Sequence, residues 1–260
     1  MSLEDCRRLV TEGDPARAHA THAAPPEAQA VLWPLYALNL ELARAPFASA
    51  EPMVGEMRLQ WWIDTLERAG AGAVPPHHEV AGPVAELIAT RGLDVAPLIA
   101  SAEARKRDAW NEPFADLGEV LAHLDATAGG LLDAAVAGLG GDVADRAQAR
   151  AVGRAQGAAN WLMAAAELAA RGREVLPAVE VGGEDAAVAL AAAGLAALAE
   201  ARAMPKLSPA ARPALWPAAE AGAVLRMAQA EPGRIAAGTL GLSEFARRWQ
   251  SLRVVMTGRA

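Results

Sequence analysis

Cysteine is almost missing. The 260 residues contain one, Cys6, which excludes an internal disulfide and a cysteine zinc site. With no base beside it in the chain, it reads as an inert thiol. Aromatic residues make up 4%, with a single tyrosine and three phenylalanines. Positive charge is outnumbered: 24 Lys and Arg stand against 31 Asp and Glu, for a net charge of −7. That excludes the broad basic face that nucleic-acid binding needs, and no nucleic-acid partner is expected. No Val/Ile/Thr-rich run alternates with period two, so no half-buried strand is expected. The longest bland apolar run, residues 186–199, is shorter than the ~20 residues that span a bilayer. It is mostly alanine and reads as a buried helix, so no transmembrane segment is expected. The chain opens Met1-Ser2-Leu3-Glu4-Asp5-Cys6, with acids where an export signal carries positive charge, so a cytoplasmic location is expected.

What is present is alanine, roughly a quarter of the chain, in a composition 53% hydrophobic and 21% charged. Alanine is the best helix former and a poor strand former, and the apolar fraction suffices for a sizeable core. The expectation is one all-α domain spanning 1–260, with no internal repeat and no obvious linker. Asp14-Pro15 reads as an N-cap with proline at the first helical position, and Pro25-Pro26 ends that element. Helices are predicted over 27–44, 50–69 (opened by Ser49, with Pro52 in the first turn), 79–90, 94–110, 116–139, 143–171, 185–203, 210–230 and 243–257. Pro34 allows a kink or a later start in the first of these. Residues 70–78 and 172–184 read as connections, and Gly140-Gly141-Asp142 as a stop and restart. Ser49, Asp116, Ser208 and Ser243 supply capping signals.

The segments Leu35-Tyr36-Ala37-Leu38-Asn39-Leu40-Glu41-Leu42-Ala43 and Glu56-Met57-Arg58-Leu59-Gln60-Trp61-Trp62 resemble the squalene/phytoene synthase family. Asp125-Ala126-Thr127-Ala128-Gly129, then Gly153-Arg154-Ala155-Gln156-Gly157 through Arg171-Gly172-Arg173 and Leu176-Pro177, follow in the same order. The resemblance covers residues 14–177 well and continues weakly through 213–217. It implies an isoprenoid-synthase-like helical bundle around a central cavity. It also implies head-to-head joining of two prenyl diphosphates in active members, with Mg²⁺ held by two aspartate-rich helix segments. Carboxylates three or four apart share a helix face and present an oxygen cluster, which stabilises the departing diphosphate through the metal.

This chain departs at those places. The resemblance puts aspartates at Ala43, Arg44 and Phe47 and again at Ala164 and Leu168, with an arginine at Met163. None of these residues is acidic. No metal site, cofactor or catalytic residue is therefore expected. The segment 39–43 resembles a side branch of the family, the mitochondrial respiratory complex I assembly factor and its bacterial relatives. That likeness implies a non-catalytic assembly or interaction protein with respiratory-complex assembly proteins as partners. It also implies a retained cavity for a prenyl or lipid ligand and peripheral contact with the inner membrane face. The alternative is an active prenyl transferase using displaced ligands.

The candidate cavity or ligand residues are Tyr36, Asn39, Glu41, Arg58, Gln60, Gln156, Asn160, Arg171 and Arg173. Five of them also have a plainer reading. Tyr36 suits core packing. Arg58 and Gln60 suit either orienting Glu41 or a ligand, or a structural ion pair. Arg171 and Arg173 suit phosphate, or a helix C-terminus that favours cations. His77-His78 lacks a third ligand. Trp61 and Trp62 point in different directions on a helix, so one packs inward. Arg247, Arg248 and Arg253, interleaved with Phe245, Trp249 and Leu252, read either as a closing helix with a solvated basic face or as an amphipathic membrane- or partner-binding helix.

Overall fold

The computed structural model describes residues 2–177 and 185–258. Among these every regular element is a helix. Ser2 opens α1 (Leu3–Gly13), a helix absent from the sequence prediction, through a capping box. Its hydroxyl accepts from the Asp5 N–H at 3.3 Å, while the Asp5 carboxylate accepts from the Ser2 N–H at 2.9 Å. Asp14 caps α2 (Pro15–His22) as its Asp-Pro signal requires. α3 (Pro26–Arg44) runs through Pro34 without ending there, and a 3₁₀ turn, Ala45–Phe47, follows it. α4 (Pro52–Gly70) starts two residues later than predicted, with Glu51 and not Ser49 at its N-cap; the Ser49 hydroxyl accepts from the Glu51 N–H at 3.1 Å, outside the helix. α5 (Ala81–Arg91) agrees with prediction to within two residues. Gly92 closes α5 at φ 62°, a conformation that favours glycine.

Two predicted helices are interrupted. Residues 94–110 form α6 (Ala96–Ala104) and α7 (Lys106–Trp110), parted at Arg105, whose N–H bonds the Ala102 carbonyl three residues back. The Arg105 side chain is buried and bonds Ser101 and Asn39. Residues 116–139 form α8 (Leu117–Leu124), a π turn (Asp125–Gly129) and α9 (Gly130–Gly138). The wide turn places the Asp125 carboxylate against Arg150, at 2.6 Å, and Arg154, at 3.3 Å.

α10 (Val143–Ala170) is about 42 Å long at ~1.5 Å per residue. It packs against α9, the π turn, α11 (Ala186–Ala203) and α12 (Ala221–Ala230). Its small residues permit this. A Cβ on Gly153 would lie 2.5 Å from the Ala128 carbonyl oxygen, so the helix meets the π turn backbone to backbone. The stretches Leu117–Gly138 and Ala186–Ala203 are long and apolar enough to cross a membrane by length and composition, and both pack against α10.

Residues 210–230 do not form one helix. Pro213 and Pro217 lack the N–H an α-helix needs, and a 3₁₀ segment, Arg212–Ala218, precedes α12. The Ser208 hydroxyl caps nothing and is buried without a partner; its backbone N–H donates instead to Asp145. α13 (Gly233–Ala236) and α14 (Glu244–Thr257), the latter capped by Ser243, complete the chain. Part of the predicted connection 172–184 lies outside the described residues.

Candidate functional site

α3 and α10 face one another across a cavity of about 290 Å³, near the lower end of the ~300–1,000 Å³ usual for small-molecule sites. Helical spacing brings Asn39, Ala43 and then Phe47 to one wall. The same spacing brings Gly157, Asn160, Ala164 and Leu168 to the other. The four positions 43, 47, 164 and 168 therefore share a cavity, as the family resemblance implies.

The third wall comes from Arg105, α7, the loop that follows it, α8 and the π turn, and with Trp161 of α10 it is aromatic and cationic. Phe114 meets His123 and Trp161 edge-on, and the His123 and Trp161 rings are tilted at 57° to one another, with ring centroids 5.3–5.9 Å apart. The Trp161 indole N–H donates to the Val175 carbonyl at 2.6 Å and fixes the strap that follows α10. Arg107 lies 3.8 Å from the centroid of the Phe114 ring, and Arg173 lies 4.8 Å from that of Phe47. Arg173 also donates to the Asp108 carbonyl. Arg105 donates to the Ser101 hydroxyl at 2.7 Å and to the Asn39 carboxamide oxygen at 3.1 Å.

Burial sets the protonation of this wall. It pushes the Asp108 carboxyl up to about 6, against the opposing pull of Arg105, Arg107 and Arg173. Burial, aided by the charges of Arg105 and Arg107, lowers His123 to about 4. It lowers Arg105 to about 10, still charged at neutral pH. His123 is therefore neutral at pH 7, and its 3.9 Å approach to Asp108 is a polar contact. Its Nδ1 is buried without a partner.

A second depression, about 690 Å³, adjoins the first and shares Ala43 and Phe47 with it. Glu41, Arg44, Arg58, Trp61, Trp62, His78 and Arg171 also line it. Trp62 is buried and Trp61 is part-exposed, the divergence expected of neighbours on a helix. Both rings lie within 5.2 Å of the His78 ring, and Glu41 approaches His78 at 4.0 Å.

The sequence candidates therefore divide. Asn39, Asn160 and Arg173 line the cavity, while Glu41, Arg58 and Arg171 line the neighbouring groove. Tyr36 and Gln156 are buried and line neither depression; the Tyr36 hydroxyl and the Gln156 Oε1 have no hydrogen-bond partner. Gln60 is exposed and bonds Asp64 and Lys106, so it does not join Arg58 in orienting Glu41. Arg171 pairs with Glu167 on the surface. Cys6 is buried, and burial pushes its thiol up to about 12. Arg105, Arg107, Asp108, Phe114, His123 and Trp161 escaped the sequence reading. For Arg105, Arg107 and Asp108 the signal was the Arg105-Lys106-Arg107-Asp108 run, which breaks the apolar spacing of a predicted helix; Phe114, His123 and Trp161 carried none.

The donor set does not fit a Mg²⁺ cluster. Ala43, Phe47, Ala164 and Leu168 offer no oxygen ligand. Among the described residues no group of three or more His, Cys, Asp or Glu is placed to hold a metal ion. Three acids do line the cavity, Asp108, Glu112 and Glu174, but none stands at the facing positions of α3 and α10, and Asp108 is surrounded by the guanidinium groups of Arg105, Arg107 and Arg173.

A helical bundle enclosing a cavity between two facing motif helices is the isoprenoid-synthase fold. The squalene/phytoene synthase family model matches residues 10–253, and the chain belongs to that family. It is similar to a ligand-bound dehydrosqualene synthase at a TM-score of 0.78 and 15% identity, covering 97% of this chain and 94% of that one. It is also similar to squalene synthase HpnC from Alicyclobacillus acidocaldarius, at a TM-score of 0.70 and 19% identity, covering 88% and 93%. These likenesses carry the fold. No curated protein matches the sequence significantly.

Proposed function

We propose that this chain is a non-catalytic member of its family, an assembly or interaction protein whose cavity holds an apolar prenyl or lipid ligand. One observation carries the reading. The four facing positions that the family resemblance assigns to metal-holding carboxylates are alanine, phenylalanine and leucine, and the nearest polar wall is arginine-rich. Ionisation of a prenyl diphosphate needs its leaving charge neutralised. Loss of one preorganised donor in such a site typically costs ~3–4 kcal/mol, about 10²–10³ in rate. Losing two opposed carboxylate clusters removes more than one donor. The cavity's chemistry suits retention instead: apolar and aromatic surface for a hydrocarbon, with Arg105, Arg107 and Arg173 for an anionic head.

The likeness of residues 39–43 to the complex I assembly branch supports respiratory-complex assembly proteins as the partner class. The test supplies purified protein and Mg²⁺ with farnesyl or geranylgeranyl diphosphate. No squalene, dehydrosqualene or phytoene is expected, and repeated turnover of either substrate overturns the reading. A pull-down from native membranes should return respiratory-complex components.

A further inference from the structure

α14 carries two unlike faces. Ala246, Gln250 and Val254, spaced four apart, lie on the side that meets the 3₁₀ segment Arg212–Ala218, and Val254 is fully buried there. Arg247 completes this attachment through Glu220 at 3.5 Å. The opposite side presents Phe245, Trp249, Leu252 and Met256. Spacings of four, three and four hold them in a single stripe along the helix. They are 81%, 60%, 50% and 77% exposed, and Val255 beside them is 47% exposed. Single exposed apolar residues are ordinary, whereas a continuous stripe of large ones marks a contact surface.

The charges on α14 indicate what covers the stripe. At ~100° per residue, Arg248 and Arg253 fall on opposite flanks of it. Arg248 pairs with Glu244, the one acid of the helix, and Arg247 with Glu220, so α14 itself carries three arginines against one acid in a chain whose net charge is −7. The helix has 14 residues, about 21 Å at ~1.5 Å each, shorter than the ~30 Å hydrocarbon core of a bilayer. A helix of that length with aromatic residues on its apolar face and flanking arginines lies in the plane of an interface. There the guanidinium groups reach headgroup phosphates while the stripe enters the acyl boundary.

We propose that α14 is a membrane-interfacial helix that seats its Phe245–Trp249–Leu252–Met256 stripe in an anionic phospholipid surface. The acidic remainder of the chain is repelled by such a surface, so the local basic charge orients the protein with α14 toward it. The proposal stands on this helix alone and does not depend on the cavity reading.

The experiment is co-sedimentation of the full chain with vesicles of phosphatidylcholine alone and of phosphatidylcholine with phosphatidylglycerol. Wild-type protein should partition onto the anionic vesicles, and less so as salt is raised. Two double variants separate the contributions: Phe245→Ser with Trp249→Ser, and Arg248→Glu with Arg253→Glu. Each should weaken partitioning roughly tenfold or more. The far-UV circular dichroism of each should keep the wild-type fold, since all four side chains are exposed, and melting should change little, the loss of the exposed Arg248–Glu244 pair being worth little in stability. Three results overturn the proposal: no wild-type binding to anionic vesicles, equal binding to both vesicle types, or variants that bind as wild type does. A fourth is a wild-type dimer that the serine variant converts to monomer, which would make the occupant a second copy of the chain.

Discussion

Arg105 donates from Nη2 to the Asn39 Oδ1 at 3.1 Å, joining the break between α6 and α7 to the helix that carries Ala43. The same guanidinium bonds the Ser101 hydroxyl at 2.7 Å. One buried cation thus holds two walls of the cavity together. Arg105→Met should cost roughly 2–4 kcal/mol in chemical denaturation, because Asn39 and Ser101 lose a charged donor and Asp108 loses a neighbouring cation. Arg105→Lys should recover little, since a single ammonium lacks the planar fork that reaches both partners. A methionine variant as stable as wild type would show that this bond holds nothing together.

The pH dependence of stability should be nearly flat through mild acid in wild type and steep in two variants. Asp108 is raised to about 6 in the folded chain, so folding takes up a proton there and its contribution grows as pH falls from 7 to 5. His123 is lowered to about 4, so the unfolded chain takes up the proton and stability falls over the same interval. The two oppose each other. Asp108→Asn should leave a protein that loses on the order of 1 kcal/mol between pH 7 and 5. His123→Gln should leave one that gains a similar amount. Denaturant midpoints at the two pH values measure both, and matching slopes in both variants would refute the pairing.

Gly153→Ala should be among the most damaging small substitutions in the chain. The new Cβ would sit 2.5 Å from the Ala128 oxygen and 2.7 Å from the Gly129 Cα, both backbone atoms that cannot rotate away. Separating α10 from the π turn should cost roughly 1–3 kcal/mol, whereas alanine in an unconstrained helix site stabilises. Thermal unfolding distinguishes these signs directly.

Filling the cavity tests what it holds. Ala164→Phe places a ring in the space between α3 and α10 without cutting a hydrogen bond made by the original side chain. Farnesyl thiodiphosphate, a slowly ionising probe, should bind wild type in calorimetry and bind the variant at least roughly tenfold more weakly, with folding stability changed by about 1 kcal/mol or less. Equal affinity would place the ligand elsewhere.

Much of this architecture was legible in the sequence because it is local. Asp14-Pro15, Gly140-Gly141-Asp142 and Ser243 mark helix ends through hydrogen bonds to residues a few positions away, and each appears in the structure. The facing of α3 and α10 is not local and came only from the family resemblance that pairs their motif positions, whereas the spacing of 39, 43 and 47 put those side chains on one wall. The breaks at Arg105 and in the π turn were not legible, since both are held by distant partners. Asn39 lies 66 positions from Arg105, and Arg150 lies 25 from Asp125.

Sequence by itself determined the helical class, because alanine-rich segments with capped ends and no period-two runs have no other stable form. It also determined that no carboxylate stands at positions 43, 47, 164 or 168, since that depends on residue identity alone. Only the tertiary structure decided which charges face inward. A run such as Arg105-Lys106-Arg107-Asp108 reads as a solvated helix surface until packing buries it. Burial then moves Asp108 and His123 toward neutrality and turns Arg105 into a crosslink between walls. The physical reason is that desolvation and long-range hydrogen bonding depend on what surrounds a side chain in space, and neighbours in space are set by the whole chain's packing.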